Sequence, residues 1–412
     1  YYNIDNWIYS AKSNARYQRK HGTWIKEATS FRGQWGIAAD QFGRLVYNHN
    51  SAPLIGDKTL PNVLLDNPYL KIRKNVNHYY TNDMRLYPIQ ATAVNRGYEK
   101  GVLDEDGKLK NFTSACSPII YLSDGLSETM NGDGFVCAPE ANLISHYEIN
   151  HIDQMATKDS SLTEFLVSTD ETFRPVALNI GYDDALYIVD MRKGIIQHSA
   201  YMSSYLREKI LAKKLDQVTA KGNIYRVKNQ YESLNKVDLA SITDLPALLL
   251  SQNRSLRIWA QQKIIDSESI NISIIDALKA IAMDTENPIA ALHAWWTLDG
   301  LESISSDLIN KLASKKLNSA FAIGMLPLLK NAFIDEQSNA NDFDIIFRKL
   351  LSLQNDAVDI QLASIFSHSI AFEEEWWQLA NRYKEDEALN EALLVGVDDK
   401  IDLLVHTLKI KR

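Results

Sequence analysis

The sequence predicts an all-β propeller over residues 1–228 followed by an all-α, HEAT-like solenoid over residues 229–412, and three observations predict it. Before residue 228 the texture is short apolar runs rich in Tyr, Val and Ile, broken by Gly, Asn, Asp and Pro, as in successive strands and turns. Within that part a strand-pair unit recurs. Beyond it Gly and Pro thin out, and Leu, Ile and Ala fall at helical spacing.

The units run in order along the chain. Residues 3–14, NIDNWIYSAKSN, read as the turn and second strand of one. Residues 31–50, FRGQWGIAADQFGRLVYNHN, give the whole plan: Phe, Arg, a short apolar strand, an Asp turn, then Leu and Tyr in a second strand. Residues 173–192, FRPVALNIGYDDALYIVDMR, repeat it position by position, and residues 112–122 with 132–149 read as a third unit with a longer insert. Repeated strand pairs of this size mark a propeller, whose blades cover one another's edges. A β-sandwich is the competing fold, but its strands need not repeat a motif.

Between Asp57 and Lys110 the strand signal is weak while tyrosines are frequent, which predicts an ordered excursion over one face. Residues 203–220 read as an amphipathic helix, and GNIYRV (222–227) as a last strand that closes a ring. In the second part, residues 248–265 and 282–301 align on Asn253 and Asn287, 34 residues apart, the period of stacked helix pairs. A generic helical bundle is the alternative.

Composition narrows the function. The 412 residues are 45% hydrophobic and 23% charged, enough for two or three cores. A net charge of -8 and a pI near 5.7 argue against nucleic-acid binding, which needs a basic surface. No run reaches the ~20 apolar residues of a membrane span. Cys116 and Cys137, the two cysteines, are too few for a disulfide framework or a Cys-rich zinc site. They stand in two strands of one unit, as possible cross-strand neighbours, and a bridge between them is expected only if the protein is exported.

VNRGYEKGVLDEDGKLKNFTSACSPIIYLSDGL (94–126), GFVCAPEANLISH (134–146), STDETFRPVALNIGYDDALYIVDMRKGIIQHS (168–199) and GNIYRV together resemble the bacterial membrane-bound dehydrogenases related to PQQ-dependent sugar dehydrogenases. The resemblance covers residues 1–300. It implies an exported, periplasmic or cell-surface protein with a six-bladed propeller, HEAT-like repeats and, in many members, a cytochrome c domain. It also implies PQQ-linked oxidation of a sugar or alcohol, with electrons passed to a cytochrome c-type partner. This chain has no Cys-x-x-Cys-His, so no haem is expected in it. Relatives carry propeller sequence ahead of Tyr1, including a histidine-bearing blade, and the chain is therefore expected to be a fragment, its propeller incomplete and its signal segment missing.

On a propeller the unit openings place Arg32, Thr113 and Arg174 at equivalent entries, and the strand ends place Asn48, Asn50, Glu140, Asn142, Asp190 and Arg192 near them. PQQ is a tricarboxylate, and arginine pairs with a carboxylate through two parallel hydrogen bonds. Arg32, Arg96, Arg174 and Arg192 are the candidates for that role. Removing hydride from an alcohol carbon needs a base, for which Glu140, Asp190 and His198 are available. Glu140, Asn142 and Asp190 are alternatively the oxygen ligands of a Ca²⁺ ion.

Each assignment has a plainer rival. Arg174 and Asp190 would then tie neighbouring units together, Asp183 and Asp184 would form turns, His146 and His198 would be structural, and Trp295, Trp296, Trp376 and Trp377 would be core. The rival function is a non-catalytic scaffold that binds a glycan or a protein. A lactonase-type hydrolase is the third reading, short of axial carboxylates.

Overall fold

In the computed structural model, residues 1–158, 161, 163–219, 222–230, 237–267, 269–335 and 340–397 are described. The chain opens with a hairpin, β1 (Ala15–Lys20) and β2 (Thr23–Ala28), joined by His21 and Gly22 with φ of 49° and 76°. Two successive positive φ values make the tight turn whose twist matches that of the strands.

A second sheet has the order β3 (Ile37–Ala39), β4 (Leu45–His49), β5 (Ala52–Gly56), β6 (His78–Tyr79). The turn between β3 and β4 is set by Asp40, whose Oδ1 accepts from the amides of Phe42 (3.0 Å) and Arg44 (2.9 Å). Gly43 lies at φ 98°, and a Cβ there would meet Ile4 Cγ2 at 2.4 Å, so both backbone and neighbour demand glycine.

The third sheet joins β7 (Cys116–Ile120), β8 (Gly134–Ala138), β9 (Leu143–Asn150) and β10 (Met155–Thr157), with β11 (Leu166–Val167) also on β9. The fourth is β12 (Pro175–Ile180), β13 (Leu186–Asp190) and β14 (Asn223–Val227), reached after the helix α1 (Ser204–Ala212).

The propeller expectation is overturned here, and with it the predicted fold class. Among the described residues the sheets are separate, antiparallel and of unequal size, from two to five strands, and none closes or forms a ring of blades. The fold is instead a mixed one, small sheets followed by helices. The repeated plan does make two hairpins, β3–β4 and β12–β13. A local repeat specifies the hairpin and its turn. It does not specify how hairpins are arranged around one another, which depends on side chains outside the repeat.

The helices are α2 (Arg254–Ile265), α3 (Ile272–Ala282), α4 (Pro288–Gly300), α5 (Ser306–Ala313), α6 (Ser319–Asp335), α7 (Ala340–Leu351), α8 (Asp356–Phe366), α9 (Glu373–Arg382) and α10 (Glu387–Leu393). Their starts are written in the sequence: Asn253, Asn271, Ser305, Asn355 and Asp386 each accept a backbone N–H of the first turn. Trp295 and Trp296 are core, their indoles donating to the carbonyls of Ala282 (2.9 Å) and Gly324 (3.1 Å). Ile4, Phe42, Leu60, Val63 and Leu64 enter the same core as the helices, so the two ends of the sequence share one interior. No described helix is long and apolar enough to cross a membrane.

The segment after β5 is held by the C-terminal helices. Glu391 of α10 accepts from the amides of Arg73 (2.8 Å), Lys74 (2.9 Å) and Asn75 (3.3 Å) and from Asn75 Nδ2 (3.1 Å). Successive N–H groups closing on a carboxylate make a small anion nest. Glu391→Ala strands those donors and should lower the unfolding free energy by about 2 kcal/mol, read from urea titration.

Candidate functional site

A cleft of about 1120 Å³ lies between the β1–β2 hairpin, the first residues of the chain, the loop after Leu60 and the ends of α2, α4 and α6. Strand alternation builds its hairpin wall: Arg16, Gln18 and Lys20 are half-buried along β1 while Tyr17 and Arg19 are exposed. Trp24, in register with Arg19, also lines the cleft and is 60% exposed.

Polar contacts organise the floor. The Arg16 guanidinium lies 3.9 Å from the centre of the Trp7 ring and donates to Glu27 Oε2 from Nη2 (2.6 Å) and Nε (3.1 Å). Its Nη1 reaches the Tyr9 hydroxyl (3.3 Å), which in turn donates to Asp5 Oδ2 (2.7 Å). Asp5 is buried, and burial pushes its pKa up to about 6 against the pull of Tyr9 and Arg16.

Asp299 closes the last turn of α4 on the opposite wall. Burial pushes its carboxyl up to about 6 as well, with Asp5 and Glu302 adding to the rise and Lys20 opposing it. Among the described residues its side chain makes no hydrogen bond. Lys330 of α6 is buried at the cleft's edge, donating to Val63 O and Ser364 Oγ (2.7 Å) and paired with Asp66, which also meets His368 Nε2 at 3.0 Å. Burial lowers its pKa. The cleft thus offers an exposed indole face, guanidinium and amide donors, and carboxyls that exchange protons near neutral pH.

The residues singled out from the sequence lie elsewhere. Arg32 is 3% exposed and spent inside the fold, with Nε on Asp57 Oδ2 (2.6 Å) and Nη1 on Thr29 Oγ1 (2.7 Å) and Ser30 O (2.7 Å). Tyr47 donates to the other Asp57 oxygen (2.7 Å). Arg96 is exposed, 4.0 Å from Glu99. Arg174 is buried and donates to three carbonyls, Pro139 (2.7 Å), Lys193 (3.2 Å) and Gly194 (3.1 Å). Burial lowers its pKa despite the surrounding Glu140, Glu171, Asp190 and Asp170.

Asp190 accepts from the amides of Arg174 and Arg192, both at 2.7 Å, so its tie to Arg174 runs through the backbone. The Arg192 side chain is exposed. Glu140 takes the Thr113 hydroxyl (2.5 Å), and Asn142, at φ 55°, donates to Phe173 O (2.7 Å). His198 is exposed and accepts the Ala200 amide (3.2 Å) at the start of a short helical turn.

Glu140 and Arg174 do come together, lining a hollow of about 20 Å³ beside α1. That is room for about one water molecule and not for a tricarboxylate quinone. The four arginines do not converge on a common space, and Glu140, Asn142 and Asp190 are each engaged with different protein groups. Among the described residues no three Asp, Glu, His or Cys groups are placed to hold a metal ion. Asp183 and Asp184 do sit in a turn, but their carboxylates reach outward: Asp183 pairs with Arg226 (2.9 Å), and Asp184 accepts from Ser123 (2.6 Å) and Asn253 (2.8 Å).

Sequence reasoning missed the cleft. Half of its signal was present, since RYQRK and TWIKEA alternate on either side of a His-Gly turn. The other half, Asp299 and Lys330, comes from helices far along the chain. A family model described as a domain of unknown function (DUF7133) matches residues 1–231. No curated protein and no solved structure matches the chain.

Proposed function

The chain belongs to the DUF7133 family, a domain of unknown function, and from its own geometry we propose that it binds a carbohydrate chain in the cleft between the β1–β2 hairpin and the helices. One observation carries this: the exposed Trp24 lines a recess in which Asp5, Asn6, Arg16, Gln18 and Asp299 stand among apolar groups such as Leu60, Val63 and Ile265. A pyranose has an apolar face that packs on an indole and a rim of hydroxyls that both donate and accept. Planar carboxylate, amide and guanidinium groups meet adjacent hydroxyls in pairs. At about 1120 Å³ the cleft exceeds the roughly 300–1,000 Å³ of ordinary small-molecule pockets, which suits an oligomer better than a single sugar.

Titration calorimetry against a panel of soluble polysaccharides and their oligosaccharides tests the reading. Trp24→Ala should weaken binding about tenfold, the loss of about 1.4 kcal/mol, without changing the thermal midpoint, because the ring is mostly exposed. Absence of binding across the panel, or equal affinity in the variant, removes it.

Quinone-linked oxidation of a sugar or alcohol, with electrons passed to a cytochrome c-type partner, is a separate proposal that rests on the family resemblance alone. Its test is cofactor uptake and sugar-dependent dye reduction after incubation with PQQ and Ca²⁺.

A further inference from the structure

Cys116 on β7 and Cys137 on β8 are direct cross-strand partners in the antiparallel register, and both thiols are free. Residues opposite one another on such strands have Cα atoms about 4.5–5.5 Å apart, inside the range a disulfide spans. Their surroundings differ. Cys137 is fully buried, whereas Cys116 is partly exposed, with its sulfur 3.9 Å from the Pro175 carbonyl of β12. β7 is also locally irregular: its register shifts between Cys116 and Ile119, and Ser117 sits at φ 48°. That bulge interrupts the ladder beside Cys116 and bends the strand there.

We propose that Cys116 and Cys137 form a thiol–disulfide exchange pair in the folded protein, with Cys116 the attacking thiol, Cys137 the resolving one, and a small disulfide such as oxidised glutathione the oxidant. The Cys116 thiolate attacks one sulfur of that disulfide, whose S–S bond breaks and releases one thiolate, leaving a mixed disulfide on Cys116. Cys137, whose proton passes to the departed small thiolate, then attacks the Cys116 sulfur and expels the second small thiolate. The net change is two protein thiols and one small disulfide becoming one protein disulfide and two small thiols, so electrons and protons balance.

The order of attack follows from the burial. Cys137 is out of reach of a solvent-borne disulfide, and burial with the adjacent Cys116 sulfur holds its thiol above the usual range. Once Cys116 is capped it no longer competes as a neighbouring thiolate, and Cys137 is left facing an electrophilic sulfur. A partly exposed thiol beside a concealed resolving one is the arrangement of redox-responsive cysteine pairs.

The native full chain incubated with oxidised glutathione and mapped by mass spectrometry under non-reducing conditions tests this. The expected product has lost two hydrogens, keeps no glutathione, and yields one cross-linked peptide pair joining Cys116 to Cys137. In Cys137→Ala the reaction should stop at one glutathione per chain, on Cys116. Cys116→Ser, whose change is at the partly exposed position, should take up none and form no cross-link. A wild-type chain that remains uncross-linked, or that keeps glutathione on Cys116 while Cys137 can still be alkylated after unfolding, overturns the proposal.

Discussion

Arg32→Met should lower the unfolding free energy by about 3–5 kcal/mol in a guanidinium titration, the cost of leaving one member of a buried ion pair without the other. The side chains of Arg32 and Asp57 are 3% and 2% exposed, and Asp57 draws its remaining bond from the buried Tyr47 hydroxyl. Removing the guanidinium leaves that carboxylate in a medium that cannot solvate it. Arg32→Met placed in an Asp57→Asn background should cost much less, about 1–2 kcal/mol, because the stranded charge is gone. This pair of measurements also separates two roles for Arg32. A residue kept for a bound carboxylate ligand would tolerate the single change with little loss of stability.

The second large effect concerns pH. With the Asp299 carboxyl raised from its usual 3.8 to about 6, the folded chain holds a proton more tightly than the unfolded one. Stability changes with pH as the protons bound by the unfolded state minus those bound by the folded state, a negative difference between those two values. Stability from this group therefore falls as pH rises from about 4 to 6 and stays low above it. Two units correspond to about 3 kcal/mol, and about 2 kcal/mol is expected for a side chain facing a wet cleft. Asp299→Asn should make the chain more stable than wild type by about that amount at pH 7 and no more stable at pH 4, by denaturant titration at each pH. Equal gains at both would show that charge is not the cause.

These two residues mark what the sequence could and could not disclose. The hairpins at 31–50 and 173–192 were legible because their turns are encoded on the spot, by Asp40 bonding two amides and by Asp184 at φ 65°. Helix starts are encoded on the same local scale, each cap lying within three residues of what it caps. The sheets' arrangement was not, because it rests on partners such as Asn253 with Asp184 and Arg44 with the His151 carbonyl, which lie far apart in sequence. Nor does sequence distinguish an arginine that grips a ligand from one that plugs a nest of carbonyls. Arg174 has the first look and the second environment. The cleft needed Asp5 and Asp299 together, and nothing in either neighbourhood announces the other.

The grip of Glu391 on residues 73–75 has a consequence at the opposite end of the chain. The same loop carries Asn62 and Asp66 into the cleft, so α10 acts as a guy-rope on a wall it does not form. Loosening it with Glu391→Ala removes no cleft residue and should widen the mouth on the side of the loop after Leu60. The far helices thereby set the gauge of an opening framed largely by the first seventy residues.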